Sequence, residues 1–261
     1  AYRGELASLP SLPLEYIDYS IHEHHYLSSS SPAVESAMNF WREQLNGATD
    51  NIVEHISDRP RMLRDGSGMN TSINIIGGSV KRVLPSSVVA GMEQFRSEHR
   101  ISQYMLCMSI WKLLLYRITA QTDCCIGGIN ANRYRPELQS IIGFFVNTLP
   151  YRTHIQPSHT FIQHIENVKQ TCLQVLNNAM IPFDTLVQQC SANSVNNATD
   201  STRNSLPFFN TFFTYEVNRE YTTPLQFDSL SSTALPLPVQ TIKFDLHLHI
   251  NDMLQNQSID F

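Results

Sequence analysis

Apolar residues recur at helical spacing in four stretches of the chain. Over 33–46, Val34, Ala37, Trp41 and Leu45 share one face, and Asn46-Gly47 stops the helix. Pro85-Ser86-Ser87 opens a second helix with Val88, Met92 and Phe95 on its buried side. Ser102 is placed to cap a third, running to about Ile118, which is apolar nearly all round and so belongs at the centre of the core. The fourth spans 159–177, with Phe161, Ile165, Val168, Cys172 and Leu176 in one stripe. Short β-branched or aromatic runs at 71–76, 81–84, 123–129 and 209–217 read as strands. The cleanest alternation is at 241–250, where Phe244, Leu246, Leu248 and Ile250 face one way and Lys243, Asp245, His247 and His249 the other. Residues 141–152, IIGFFVNTLPYR, also read as a strand, but Asn147 and Thr148 place an amide and a hydroxyl in a segment built for a core. Polar loops fall at 50–70 and 190–205, and the Leu/Pro/Ser-rich residues 1–15 read as a linker. With no internal repeat, helices interleaved with strands predict an α/β (α+β) sandwich, a mixed sheet flanked by helices.

Composition narrows this little. The 261 residues are long enough for a sizeable core, and 42% hydrophobic with 16% charged residues is ordinary for a globular chain. A net charge of −5 offers no basic stripe for nucleic acid. The longest apolar stretch, 104–116, is broken by Ser109 and Lys112 and falls short of a membrane span, which needs about 20 residues. Five cysteines without a CxxC pair read as reduced thiols in a cytoplasmic protein, and the sequons at Asn70 and Asn197 are discounted for want of a secretion signal. Ala1 in place of Met fits a piece excised from a longer chain.

Self-sufficient chemistry is hard to find. His22, Glu23, His24 and His25 have ligand side chains, but His22 and His25 are three apart rather than four, so no metal site is assigned. Asp245, His247 and His249 share one strand face, a candidate site whose plainer reading is a wetted polar face. There is no GxSxG, and Gly127-Gly128 lacks the lysine of a phosphate loop.

Ordered motifs are more specific. YIDYS (16–20), FWREQL (40–45), DRPR (58–61), LYRITAQTDCCIGGINANRYRPEL (115–138), IIGFFVNTLPYR (141–152), IPFD (181–184) and KFDL (243–246) follow one another in the order and rough spacing of the condensation domain of nonribosomal peptide synthetases, which the chain resembles. That resemblance implies two lobes, each like a chloramphenicol acetyltransferase subunit, facing across a tunnel. Residues 16–261 would be the C-terminal lobe and 1–15 the inter-lobe linker, with the N-terminal lobe and the terminal helix lying outside this chain. The catalytic HHxxxDG motif belongs to the first lobe. Here His24-His25 is followed by YLSSS, so no catalytic histidine is assigned.

The implied reaction joins a carrier-bound acyl or peptidyl thioester to the amine of a carrier-bound amino acid, both on phosphopantetheine arms. No cofactor is bound directly. Partners would be the N-terminal lobe, donor and acceptor peptidyl carrier proteins and an adjacent adenylation domain, with neither nucleic acid nor membrane. Arg133 aligns with the arginine that grips the aspartate of HHxxxDG and so supports that motif. The segment holding Asn147 and Thr148 would pass under the tunnel and bridge toward the other lobe, where the two side chains would either face the travelling thioester arms and peptide backbones or, the slightly favoured role, satisfy the bridge's own backbone. The chain departs from the pattern at His22, where Trp is usual, and at Asn178-Ala179-Met180 before the Pro-Phe turn. Two other functions compete: a non-catalytic platform recruiting carrier proteins or tailoring enzymes, and a standalone acyltransferase using coenzyme A, which needs the same missing histidine and which a trimer in solution would favour.

Overall fold

Pairing rather than strand propensity decides which apolar runs become strands. The computed structural model describes residues 11–29, 31–48, 77–190, 208–218, 226–227, 230–231, 244–253 and 258–260. Its helices are α1 (Tyr16–Ser28), α2 (Pro32–Leu45), α3 (Ser86–His99), α4 (Gln103–Thr119), α5 (Pro136–Gln139), α6 (Phe161–Asn177) and α7 (Phe183–Cys190). Its strands are β1 (Asp123–Asn130), β2 (Asn147–His154), β3 (Thr211–Asn218), β4 (Gln226–Phe227), β5 (Leu230–Ser231), β6 (Leu246–Met253) and β7 (Ser258–Asp260). One sheet has the order β2-β1-β3-β6-β7, parallel at β1/β3 and β3/β6 and antiparallel at β1/β2 and β6/β7. This is the expected mixed sheet flanked by helices. The first ten residues of the linker, the 50–70 loop, the 71–76 strand, most of the 190–205 loop, both sequons, the DRPR motif and Lys243 lie outside the described residues.

Local chemistry sets the helix starts. The Ser102 hydroxyl accepts the Met105 N–H at 3.1 Å, as the sequence predicts, and the Ser31 hydroxyl accepts the Val34 N–H with Pro32 in the first turn. Thr160 and Gln163 form a reciprocal capping box at α6. α1, which periodicity did not mark, starts on a similar exchange, with Glu15 N–H donating to the Asp18 carboxylate at 2.8 Å. The core lies between α2, α4, α6, α7 and the sheet. Trp41 is fully buried, and its Nε1–H donates to the Asn178 carbonyl at 2.9 Å, joining α2 to the end of α6. Each large side chain buried this way contributes on the order of 2–3 kcal/mol.

Five expectations are corrected. At 81–84 only Val83 makes an isolated bridge, because no described strand runs beside it. Residues 141–146 are irregular, and β2 starts only at Asn147, opposite Asn130 where its partner β1 ends. Val88 is exposed on α3 and Val89 packs inward instead. α4 is buried on one side only, through Leu106, Cys107, Met108, Lys112 and Leu115, whereas Ile110, Leu114 and Ile118 are exposed. On α6 the middle of the expected stripe holds, but Val175, two turns from Val168, replaces Leu176 inside, and Phe161 is also exposed.

The core also holds a cation that the sequence reading treated only as an interruption. Lys112 is fully buried on α4, and its Nζ donates to the carbonyls of Cys124 (3.0 Å) and Tyr151 (2.7 Å), bracing the helix against β1 and β2. All five cysteines are free and buried, and burial pushes the Cys125 thiol up to about 12, so these thiols stay protonated.

Candidate functional site

The sequence-predicted residues fall into two groups. Arg133, Asn147 and Thr148 lie around the segment between β1 and β2; Asp245, His247 and His249 lie on or just before β6, two strands away.

At the first group the chain leaves β1 through Asn130 and turns at Asn132, which takes a left-handed conformation (φ 55°). Asn residues enter this region more readily than most because their short side chains bond locally. The Asn130 side-chain oxygen accepts the Asn132 N–H at 3.2 Å, and the buried Asn132 amide donates to the Tyr19 hydroxyl at 3.0 Å. That hydroxyl donates to the Glu23 carboxylate at 3.0 Å. Burial, reinforced by Glu23, raises the Tyr19 pKa well above the usual phenol range, so it remains a neutral donor.

The turn directs Arg133 over the loop that follows. Its Nη1 donates to the carbonyls of Leu138 and Ile141 (the latter at 2.8 Å), and its Nη2 to that of Gly143 at 3.2 Å. The guanidinium carbon sits 4.1 Å from the centroid of the Phe145 ring. From α1, the Tyr16 hydroxyl donates to the Phe144 carbonyl at 2.8 Å, and a Cβ at Gly143 would come within 2.2 Å of the Tyr16 ring. Only glycine fits there. Ile141 and Phe145 point inward with Tyr19, while Ile142 is 94% and Phe144 76% exposed, with Val146 beside them at 43%.

Where the loop becomes β2, Asn147 spends its amide on the backbone. Its Nδ2 donates to the carbonyls of Ala179 and Ile181, both at 2.8 Å, and its Oδ1 accepts the Phe183 N–H at 3.2 Å. It thereby fixes the turn between α6 and α7. Thr148 is half-buried and pairs in register with Ile129.

The second group is a polar strand face. The Thr214 hydroxyl and His247 Nε2 are 2.9 Å apart, His249 Nε2 lies 3.4 Å from the Glu216 carboxylate, and the two imidazoles stack at 5.8 Å. Burial, then the neighbouring His249, lowers the His247 pKa. His22, His24 and His25 are exposed on α1. No group of three or more His, Cys, Asp or Glu among the described residues could hold a metal ion, and no described helix is long and apolar enough to cross a membrane.

A polar cleft of about 390 Å³ is lined by Phe40, Glu43, Gln44, Asn46, Arg152, His154 and Gln174. Its arginine is already committed: Nε and Nη2 grip Asp123 at 2.8 and 2.7 Å, and Nη1 donates to the carbonyls of Gln44 and Asn46. The cleft therefore joins α2 to the sheet edge and presents no free cation to a ligand.

Sequence reasoning missed Tyr16, Tyr19 and Asn132 as site residues, although all three lie inside quoted motifs. Their partners are 113 to 128 residues away in the chain, which no local periodicity encodes.

The family model described as Condensation domain matches residues 1–261. Malpinin synthetase of Mortierella alpina is 29% identical over 247 residues, covering 95% of this chain and 3% of that protein. Among solved structures, the X-domain in its complex with OxyB from teicoplanin biosynthesis is similar at a TM-score of 0.77 and 19% identity, over 99% of this chain and 54% of that one. The condensation domain of the monacolin K polyketide synthase MokA follows at 0.69 and 19%, over 99% and 57%. The chain thus spans a small part of the synthetase and a little over half of each solved chain.

Proposed function

This chain belongs to the condensation-domain family of nonribosomal peptide synthetases, and from that premise we propose that residues 16–261 form the C-terminal lobe of such a domain, entered through residues 1–15. Condensation domains form amide bonds. In the proposed reaction the amine of a carrier-bound amino acid attacks the thioester carbon of a carrier-bound acyl or peptidyl group. The C–N bond forms, the C–S bond breaks, and the amine proton leaves as the donor arm's thiol is released. Both substrates arrive on phosphopantetheine arms, so positioning supplies much of the acceleration. The first lobe supplies the histidine of HHxxxDG as general base or orienting group. This lobe supplies the opposite tunnel wall and the acceptor-side surface, with Arg133 supporting the active-site motif and Asn147 and Thr148 at the bridge. The carrier proteins, an adenylation domain and a cytoplasmic setting belong to the same reading.

The observation that carries the proposal is the 142–146 ridge. Ile142 and Phe144 are held outward on a loop whose carbonyls are tied down, within the IIGFFVNTLPYR motif. Exposed large apolar side chains on a fixed backbone mark a surface made for a partner. The test is reconstitution. The chain alone should make no amide from loaded donor and acceptor carriers; joined to its preceding lobe it should, and Arg133→Ala should then lower turnover. Normal turnover by the 261 residues alone would refute this division of labour.

A second reading has its own support. The X-domain to which this chain is similar was solved in complex with OxyB. A condensation-like platform recruiting a carrier protein or tailoring enzyme would bind its partner with the histidine motif absent and both lobes present. Failure to capture either class of partner would count against it.

A further inference from the structure

An irregular segment has no ladder to satisfy its backbone, so every carbonyl it turns inward needs a side-chain partner. In the loop between β1 and β2 those partners come from two residues. Arg133 takes the carbonyls of Leu138, Ile141 and Gly143 and lies over the Phe145 ring; Tyr16 takes the carbonyl of Phe144 and fills the space beside Gly143. We infer that Arg133 is a positioning residue that acts through this loop: with Tyr16 it clamps residues 138–145, so that Ile142, Phe144 and Val146 stand out as a preformed ridge. The inference rests on the proposal that the ridge meets the first lobe, and it assigns Arg133 a task within its own lobe, distinct from gripping a carboxylate across the tunnel.

The two tasks have different chemical requirements. A grip on a carboxylate needs a partner in the other lobe, and lysine keeps the charge for it but not the two-point fork. The clamp needs a planar fork that reaches three carbonyls while stacking on an aromatic ring, and an ammonium on a flexible stem cannot do that. The clamp is also closed on itself. Tyr19 on α1 receives the Asn132 amide, Asn132 sets the direction of Arg133, Arg133 holds the loop, and Tyr16, again on α1, holds the loop from the other side. Tyr16 and Tyr19 both pack on Phe145, at ring-centroid distances of 5.3 and 4.5 Å.

Chymotrypsin reads the clamp directly, because Phe144 is exposed while its backbone is held. In the 261-residue chain, Arg133→Ala and Arg133→Lys should each raise the rate of cleavage after Phe144 by about tenfold, the loss expected from breaking charge-assisted hydrogen bonds. Tyr16→Phe, which removes one hydroxyl and keeps the ring, should raise it by a smaller factor, with cleavage elsewhere unchanged. In the chain joined to its preceding lobe, Arg133→Lys should lose turnover as fully as Arg133→Ala. Unchanged cleavage in Arg133→Ala would overturn the clamp. Rescue of turnover by lysine, or full turnover with a loosened loop, would overturn the positioning role. A joined wild-type chain without turnover would count against the lobe assignment alone, and the cleavage rates would still decide the clamp.

Discussion

His164 lies within the packing of α6 against α4, only 4% exposed, with its Nε2–H donating to the Ser109 carbonyl at 3.0 Å. Burial lowers its pKa below the ordinary imidazole value of 6.5, the bond to Ser109 opposes that shift, and the buried Lys112 adds to it, with His159. A base with a depressed folded pKa binds fewer protons folded than unfolded. Its contribution to stability is therefore complete above the unfolded value and is lost as pH falls from there toward the folded one. The melting temperature should thus drop as pH is lowered from about 6.5, with a stability slope approaching at most about 1.4 kcal/mol per pH unit for one proton. His164→Gln should flatten that slope in a series of melts. His247, also depressed by burial, acts in the same direction, so some slope should remain. The sequence offered no hint of this residue's place. His164 precedes Ile165 on the buried side of a helix correctly read from its periodicity, but a polar residue on a buried stripe looks the same whether it is satisfied or not. Lys112 escaped attention for the same reason, since its carbonyl partners come from two strands that only the fold brings together.

Among the elements, legibility follows locality. The Ser102 cap is written within three residues and was readable, as were the long amphipathic stretches, while the equally local Thr160 box went unread. The extent of β2 depends on where β1 stops, and the run IIGFFV therefore looked like a strand that the fold does not make. Asn147 illustrates the difference. Its motif marked it as special, and satisfying the bridge's own backbone was the favoured use, but the groups it serves lie 32 to 36 residues onward and were not readable. Its three hydrogen bonds tie the start of β2 to the turn joining α6 to α7, so its loss should be felt by all three elements. Asn147→Asp is the informative change. It keeps the acceptor for the Phe183 N–H but replaces two donors with an oxygen facing the carbonyls of Ala179 and Ile181. Denaturant unfolding should show a loss of about 2–3 kcal/mol, as expected when partly buried polar groups are left unpaired and repelled, and Asn147→Ala should lose less than that. Equal midpoints for Asn147→Asp and the unaltered chain would mean that another group holds this turn.

For the whole molecule, stability and function should come apart at the ridge. Ile142 and Phe144 contribute almost nothing to the core of this chain, because they are 94% and 76% exposed. Replacing both with serine should change the unfolding free energy of the chain by no more than about 0.5 kcal/mol, as is usual for exposed positions without special features. If the ridge is a contact surface for a preceding lobe, the same double change in the joined domain should remove apolar area from that contact, lowering both the joined domain's melting temperature and amide formation. The mirror experiment uses Ile141 and Phe145, each 3% exposed under the same loop, where serine should destabilise the chain on its own. Alternate residues of one hexapeptide would then separate into those that keep this chain folded and those that serve something beyond it. If Ile142→Ser with Phe144→Ser leaves the joined domain's turnover and melting temperature untouched, the exposed side chains have no partner in the first lobe. A contact surface would then have to lie elsewhere, and Ile110, Leu114 and Ile118 form one exposed apolar stripe on α4 that could supply it.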